Sequence, residues 1–152
     1  MATDSVEREI LIEASPEVVW GVLTEPEQIS RWFSDEAKVE GRAGADGTLT
    51  WRPGGRGGDK EFDAIVPIRV VEAEPFRRFS FRWNHPEGVG PDEHNSALVE
   101  FSLIEEAGGT RLRVVESGFA QLPEDAYRKA YGGNTEGWAR ELGELVAYLD
   151  AA

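Results

Sequence analysis

Between residues 78 and 117 apolar and polar side chains alternate with a period of two, the pattern of strands with one dry face. In "FRRFSFRW", Phe79, Phe81 and Trp83 stand against Arg78, Ser80 and Arg82. In "SALVEFSLI", Val99, Phe101 and Leu103 oppose Glu100 and Ser102; in "TRLRVVES", Leu112, Val114 and Glu116 oppose Arg111, Arg113 and Ser117. Upstream, "KEFDAIVPIRVVEAEP" sets Phe62, Ala64, Val66, Ile68 and Val70 against Glu61, Asp63 and Arg69, and predicts a long strand. Its Pro67 implies an edge position or a bulge. Short strands are expected at "EAKVEG" and "GTLTW", and "VEREILIEA" opens the chain as a strand with Arg8, Ile10 and Ile12 on one face. The glycine-rich "RPGGRGGD" reads as a hairpin connection that could act as a flap.

The period changes twice. After the first strand, Ser15-Pro16-Glu17 supplies an N-cap, a proline at the first helical position and an acid in the first turn, with Val18, Val19, Val22 and Leu23 as the apolar side. Thr24-Glu25-Pro26-Glu27 repeats the signal as a capping box and opens a second short helix ending near Trp32 and Phe33. At the far end, "NTEGWARELGELVAYL" spaces Trp138, Leu142, Leu145 and Leu149 on one face of a long helix. Gly143 lies on its flank beside Ala139 and Ala147, which suggests a close approach of backbone or ligand there; on that reading Gly143→Leu disrupts packing or occludes the cavity. The order is strand, two short helices, about six antiparallel strands and a C-terminal helix over the sheet: an α+β fold in one domain spanning 1–152.

Composition narrows the partners. A net charge of -13 repels phosphate backbones, so nucleic acid and anionic membrane are excluded as partners. No cysteine is present, so disulfide and thiolate chemistry are absent, which fits the cytoplasm. No apolar run approaches the roughly 18 residues of a membrane span. Five Trp, seven Phe and three Tyr are ample for a packed interior.

"ILIEASPEVVWGVLTEPEQISRWF" resembles the opening of the family related to the C-terminal domain of the activator of Hsp90 ATPase, and "GFAQLP…GGNTEGWARELGELVAYL" resembles its close. This group lies within the START or Bet v 1-like superfamily. The resemblance implies a helix-grip fold, a curved sheet gripping the C-terminal helix with an apolar cavity between them. The sequence lacks the N-terminal domain that accompanies this module in the eukaryotic co-chaperone, which argues against direct stimulation of Hsp90.

Trp32, Phe33, Trp51, Phe62, Phe79, Phe81, Trp83, Phe101, Phe119 and Trp138 mostly fall on the apolar side of their elements. They are either core or the walls of a ligand cavity; without Phe119, and with Val114, Glu116 and Leu142, they form the candidate ligand-binding set. Glu116 is the one candidate for catalysis. Its parity with Leu112 and Val114 points it to the dry face, where desolvation disfavours the ionised form and suits a general base or a ligand anchor. Alternatively, parity breaks at Ser117-Gly118 and Glu116 meets water. Arg8, on the inward side of the first strand, could be its charge partner. His85 and His94, with Asp92 and Glu93, match no metal-ligand spacing, and neither metal nor cofactor is implied. Three readings follow: a binder of a small apolar molecule, a cyclase or hydrolase using Glu116 on the same scaffold, or a module modulating a chaperone ATPase. A homodimer is left open.

Overall fold

The computed structural model describes residues 5–54, 63–83, 90–91, 95–118, 138 and 140–150. Strand β1 (Ser5–Ile12) is followed by helices α1 (Pro16–Thr24) and α2 (Pro26–Trp32). Six strands come next: β2 (Glu36–Lys38), β3 (Asp46–Trp51), β4 (Ala64–Glu74), β5 (Arg78–Trp83), β6 (Ala97–Glu106) and β7 (Gly109–Ser117). The C-terminal helix α3 is described at 138 and 140–150. All pairings are antiparallel, in the order β1-β7-β6-β5-β4-β3-β2. The chain from β2 to β7 is therefore a meander, and β1 closes it on the far side. This is the helix-grip arrangement that the resemblance implied.

Proline and serine set the helices. The Ser15 hydroxyl accepts from the Val18 N–H at 3.3 Å, and Pro16 follows at the first position of α1. Pro26 excludes its predecessor from helical geometry, so Glu25 is extended (φ -83°, ψ 122°) and ends α1 while opening α2. No side chain caps α2, so the expected capping box is absent. Thr24 is instead the last residue of α1, its hydroxyl donating to the Trp20 carbonyl at 2.8 Å. Val19, Val22 and Leu23 are buried as expected, whereas Val18 is 47% exposed because the burial stripe of α1 passes one position beyond it. Helix α1 packs on β6 and β7, and α2 on β2.

The inward faces follow the alternation read from the sequence. Phe79, Phe81 and Trp83 of β5, Val99, Phe101 and Leu103 of β6, and Leu112, Val114 and Glu116 of β7 are all buried. Strand β4 is interior to the sheet rather than an edge. Its Pro67 stands opposite Thr48 of β3, beyond the described ladder with β5, which begins at Arg69. The irregularity falls at Val71, between the Val70–Phe81 and Glu72–Ser80 pairs, so that Val70 and then Ala73 face inward. The start of β7 crowds the end of β1: a Cβ on Gly109 would lie 2.1 Å from the Ile12 carbonyl oxygen, so only glycine fits. In the β4–β5 turn, Phe76 holds φ +68° while the Arg77 N–H donates to Glu74 at 3.0 Å, and its ring meets Trp20 edge-on at 6.3 Å. The outer face carries ion pairs, with Arg111 joining Glu9 of β1 to Glu106 of β6.

Candidate functional site

Aromatic parity on three strands and two helices brings the candidate residues into one contiguous interior with two layers. The deeper layer is a cavity of about 20 Å³, room for a water-sized sphere or two. It is walled by Leu23, Ile29, Trp32 and Phe33 from the α1–α2 side, by Val39, Leu49 and Ile68, and by Phe79, Phe81 and Phe101 from the sheet. Its helical wall, among the described residues, is α1 and α2. Trp32 is held in that wall by its indole N–H, which donates to the Val22 carbonyl at 2.9 Å and ties α2 to α1.

The second layer is polar at its centre. Glu116 is fully buried, at 0% exposure, so parity holds to the end of β7. The Trp83 N–H donates to one of its carboxylate oxygens at 2.5 Å, and the Trp138 N–H donates to the other at 2.8 Å. An indole N–H can only donate, so each tryptophan requires an acceptor here. Both carboxyl oxygens therefore have a hydrogen-bond partner despite complete burial, as a buried polar group requires. The backbone partner of Glu116 across the β1–β7 ladder is Val6; Arg8 stands opposite Val114. The Arg8 guanidinium donates to the Glu7 carbonyl at 2.8 Å.

Phe33 joins the layers. Its ring lies 6.0 Å from Trp83 and 5.6 Å from Trp138 with interplanar angles of 26° and 13°, and it meets Trp51 edge-on at 5.4 Å. Trp83 and Trp138 are themselves 6.0 Å apart, so the three near-parallel rings form a triangle. Trp51 also donates its N–H to the Phe33 carbonyl at 2.9 Å. Phe101 contacts Trp138 edge-on at 5.7 Å, and Phe81 contacts Trp83 edge-on at 5.5 Å. Val114, Leu142 and Leu145 are buried core, away from the cavity lining. Phe62, Phe119, His85, His94, Asp92 and Glu93 lie outside the described residues, as does most of the glycine-rich flap. Among the described residues no group of three His, Cys, Asp or Glu could hold a metal.

Two features escaped the sequence reading. Leu23, Ile29, Val39, Leu49 and Ile68 complete the cavity wall, and their only signal was apolar parity shared with ordinary core. Trp20 packs edge-on against Phe79 at 6.0 Å, tying α1 to β5. Gly143 corrects an expectation: it is exposed, and a Cβ there would meet nothing within 4 Å.

Comparison with known proteins agrees with this architecture. The model of the family described as "Activator of Hsp90 ATPase homolog 1-like protein" matches residues 13–150. The crystal structure of protein MLL2253 from Mesorhizobium loti superposes with a TM-score of 0.77 at 26% identity, covering 97% of this chain and 98% of that one. DynU16, a protein of the dynemicin biosynthetic locus, gives a TM-score of 0.74 at 25% identity over 98% of this chain and 48% of its own. The solution structure of the Aha1 dimer from Colwellia psychrerythraea gives 0.69 at 19% identity over 94% and 93% of the two chains, a likeness of fold. No functionally curated protein is detectably similar. Among the described residues no helix is long and apolar enough to cross a membrane.

Proposed function

Because the chain belongs to the activator of Hsp90 ATPase homolog 1-like family, and its sheet and helices enclose an aromatic interior, we propose that it binds a small apolar molecule there without catalysing a reaction on it. The observation that carries this reading is the pairing of an all-apolar cavity with one fixed polar cluster, the Glu116 carboxylate held by Trp83 and Trp138. Ligand sites combine apolar walls with a few placed polar groups in this way. The same observation weakens the enzyme reading. A general base must reach a substrate proton, and both oxygens of Glu116 are engaged by indole N–H groups in a fully buried position.

The driving force is burial, worth about 25 cal/mol per Å² of apolar surface removed from water. At about 20 Å³ this cavity among the described residues is far below the roughly 300 Å³ of an ordinary ligand site, so uptake into it requires a side chain to move. Native mass spectrometry of freshly purified protein tests the reading, together with fluorescence titration using the neutral probe N-phenyl-1-naphthylamine. The expected result is a co-purified small mass, or saturable uptake of the probe that apolar competitors reverse. Absence of both would overturn the proposal.

A further inference from the structure

We propose that Phe33 is a removable plug: its ring holds the place that a flat, uncharged aromatic ligand takes among Trp51, Trp83 and Trp138. The inference rests on the ligand-binding reading above, and adds the side chain that moves and the class of molecule that replaces it.

Phe33 belongs to both layers of the interior. It lines the apolar cavity, and it contacts the rings of Trp32, Trp51, Trp83 and Trp138 at 5.0, 5.4, 6.0 and 5.6 Å. These are the offset-parallel and edge-on geometries that any aromatic ring prefers. The surfaces that hold a phenyl group therefore suit another flat ring equally well. With Phe33 in place, the void behind it takes no organic molecule; with its ring withdrawn, the void opens onto the faces of Trp83 and Trp138.

The backbone at Phe33 is pinned while its side chain is not tied by a polar bond. Phe33 caps the C-terminus of α2; its N–H donates to the Ile29 carbonyl at 2.9 Å, and its own carbonyl accepts from Trp51 at 2.9 Å. The movement available is thus rotation about the side-chain torsions, without displacement of the helix. Phe33 as a residue is 7% exposed, whereas Trp32 and Phe79 beside it are at 2%.

Charge fixes the ligand class. The tryptophan rings that would receive the ligand present their N–H edges to a buried carboxylate, in a chain of net charge -13. An anionic group brought onto these rings would meet that carboxylate in a region of low dielectric. The ligand is accordingly a molecule of one or two fused aromatic rings that carries no carboxylate, sulfonate or phosphate.

Equilibrium dialysis of naphthalene and of 2-naphthalenesulfonate against the wild type and Phe33→Ala tests this. Phe33→Ala is expected to bind naphthalene at least about tenfold more tightly, because it need not first expose a buried phenyl ring. The sulfonate is expected to bind both proteins at least about tenfold more weakly than naphthalene does. Phe33→Leu, a smaller change to the packing, should shift affinity in the same direction by a lesser factor, and it decides the matter if the alanine variant does not fold. Equal or weaker binding of naphthalene by the variants than by the wild type would overturn the plug while leaving the ligand-binding reading intact. Failure of naphthalene to bind either protein, with N-phenyl-1-naphthylamine still taken up, would also overturn the plug alone. Failure of both compounds, with no small mass co-purifying, would overturn the underlying reading as well, and sulfonate binding as tight as naphthalene would overturn the ligand class.

Discussion

Replacing Glu116 by glutamine keeps shape and volume but breaks the match between donors and acceptors. The carboxylate accepts from Trp83 at 2.5 Å and from Trp138 at 2.8 Å, one indole on each oxygen. Glutamine offers one carbonyl oxygen and one NH₂ group. The indole that faces the oxygen keeps a bond, but exchanging a charged acceptor for a neutral one costs about 1 kcal/mol. The other indole meets a donor at a site with no solvent exposure, and a buried unsatisfied N–H costs about 1–3 kcal/mol. Removing a buried charge works the other way by about 1 kcal/mol, which brings the expected net loss to about 1–3 kcal/mol. For a chain of this size that is a fall in Tm of about 2–12 °C. Urea and thermal unfolding at pH 7, followed by circular dichroism, measure it directly. Trp138→Phe removes one of the two donors, so Glu116→Gln should cost about 1–2 kcal/mol less in that background. A Glu116→Gln protein within about 0.5 kcal/mol of wild type, with strictly additive effects of the two substitutions, would refute the clasp.

Three further outcomes are open to the same measurements. Gly143→Ala should raise stability by about 0.5–1 kcal/mol, since the position is helical, exposed and clear of neighbours; a loss of stability would show that something packs there. At Phe76, with φ +68°, the glycine variant should be more stable than the alanine variant by about 1 kcal/mol, because only alanine retains the left-handed strain. Glu106 accepts from Arg111 at 2.6 and 3.1 Å, and that bond holds its carboxyl below the ordinary value. A lowered folded-state value means stabilisation present above the unfolded value near pH 4.3 and lost as pH falls through the folded one. The Tm gap between wild type and Glu106→Gln should therefore be open at pH 7 and closed at pH 2–3; a gap that persists in acid would rule out the ion pair as its source.

The sheet was largely legible because period-two alternation is a local signal that tertiary contacts reinforced. Phe79, Phe81, Trp83, Phe101, Val114 and Glu116 all sit on the face their parity assigned. What alternation could not carry was pairing in space. Glu116 was placed inward by its neighbours, but its partners Trp83 and Trp138 come from another strand and from α3, and no spacing in the chain encodes that meeting. The capping motif at Thr24 failed because a second local rule, the constraint of Pro26 on Glu25, outranked it. Gly143 misled for a similar reason: a small residue beside alanines reads alike whether a neighbour presses on it or nothing does. The cavity wall was hidden because Leu49 or Ile68 beside a void has the same pattern as either residue in solid core.

The position of β1 in the sheet bears on how the protein is made. It is synthesised first, yet its hydrogen-bonding partner is β7, and the Arg111–Glu9 bridge between them spans 102 positions of sequence. At roughly 5–20 residues per second of translation, β1 waits about 5–20 s before its partner has been made. Throughout that interval the backbone of β1 has an unsatisfied edge, and Val6, Ile10 and Ile12 have no sheet to cover. The last-made strand therefore determines when the residues of β1 are withdrawn from intermolecular pairing.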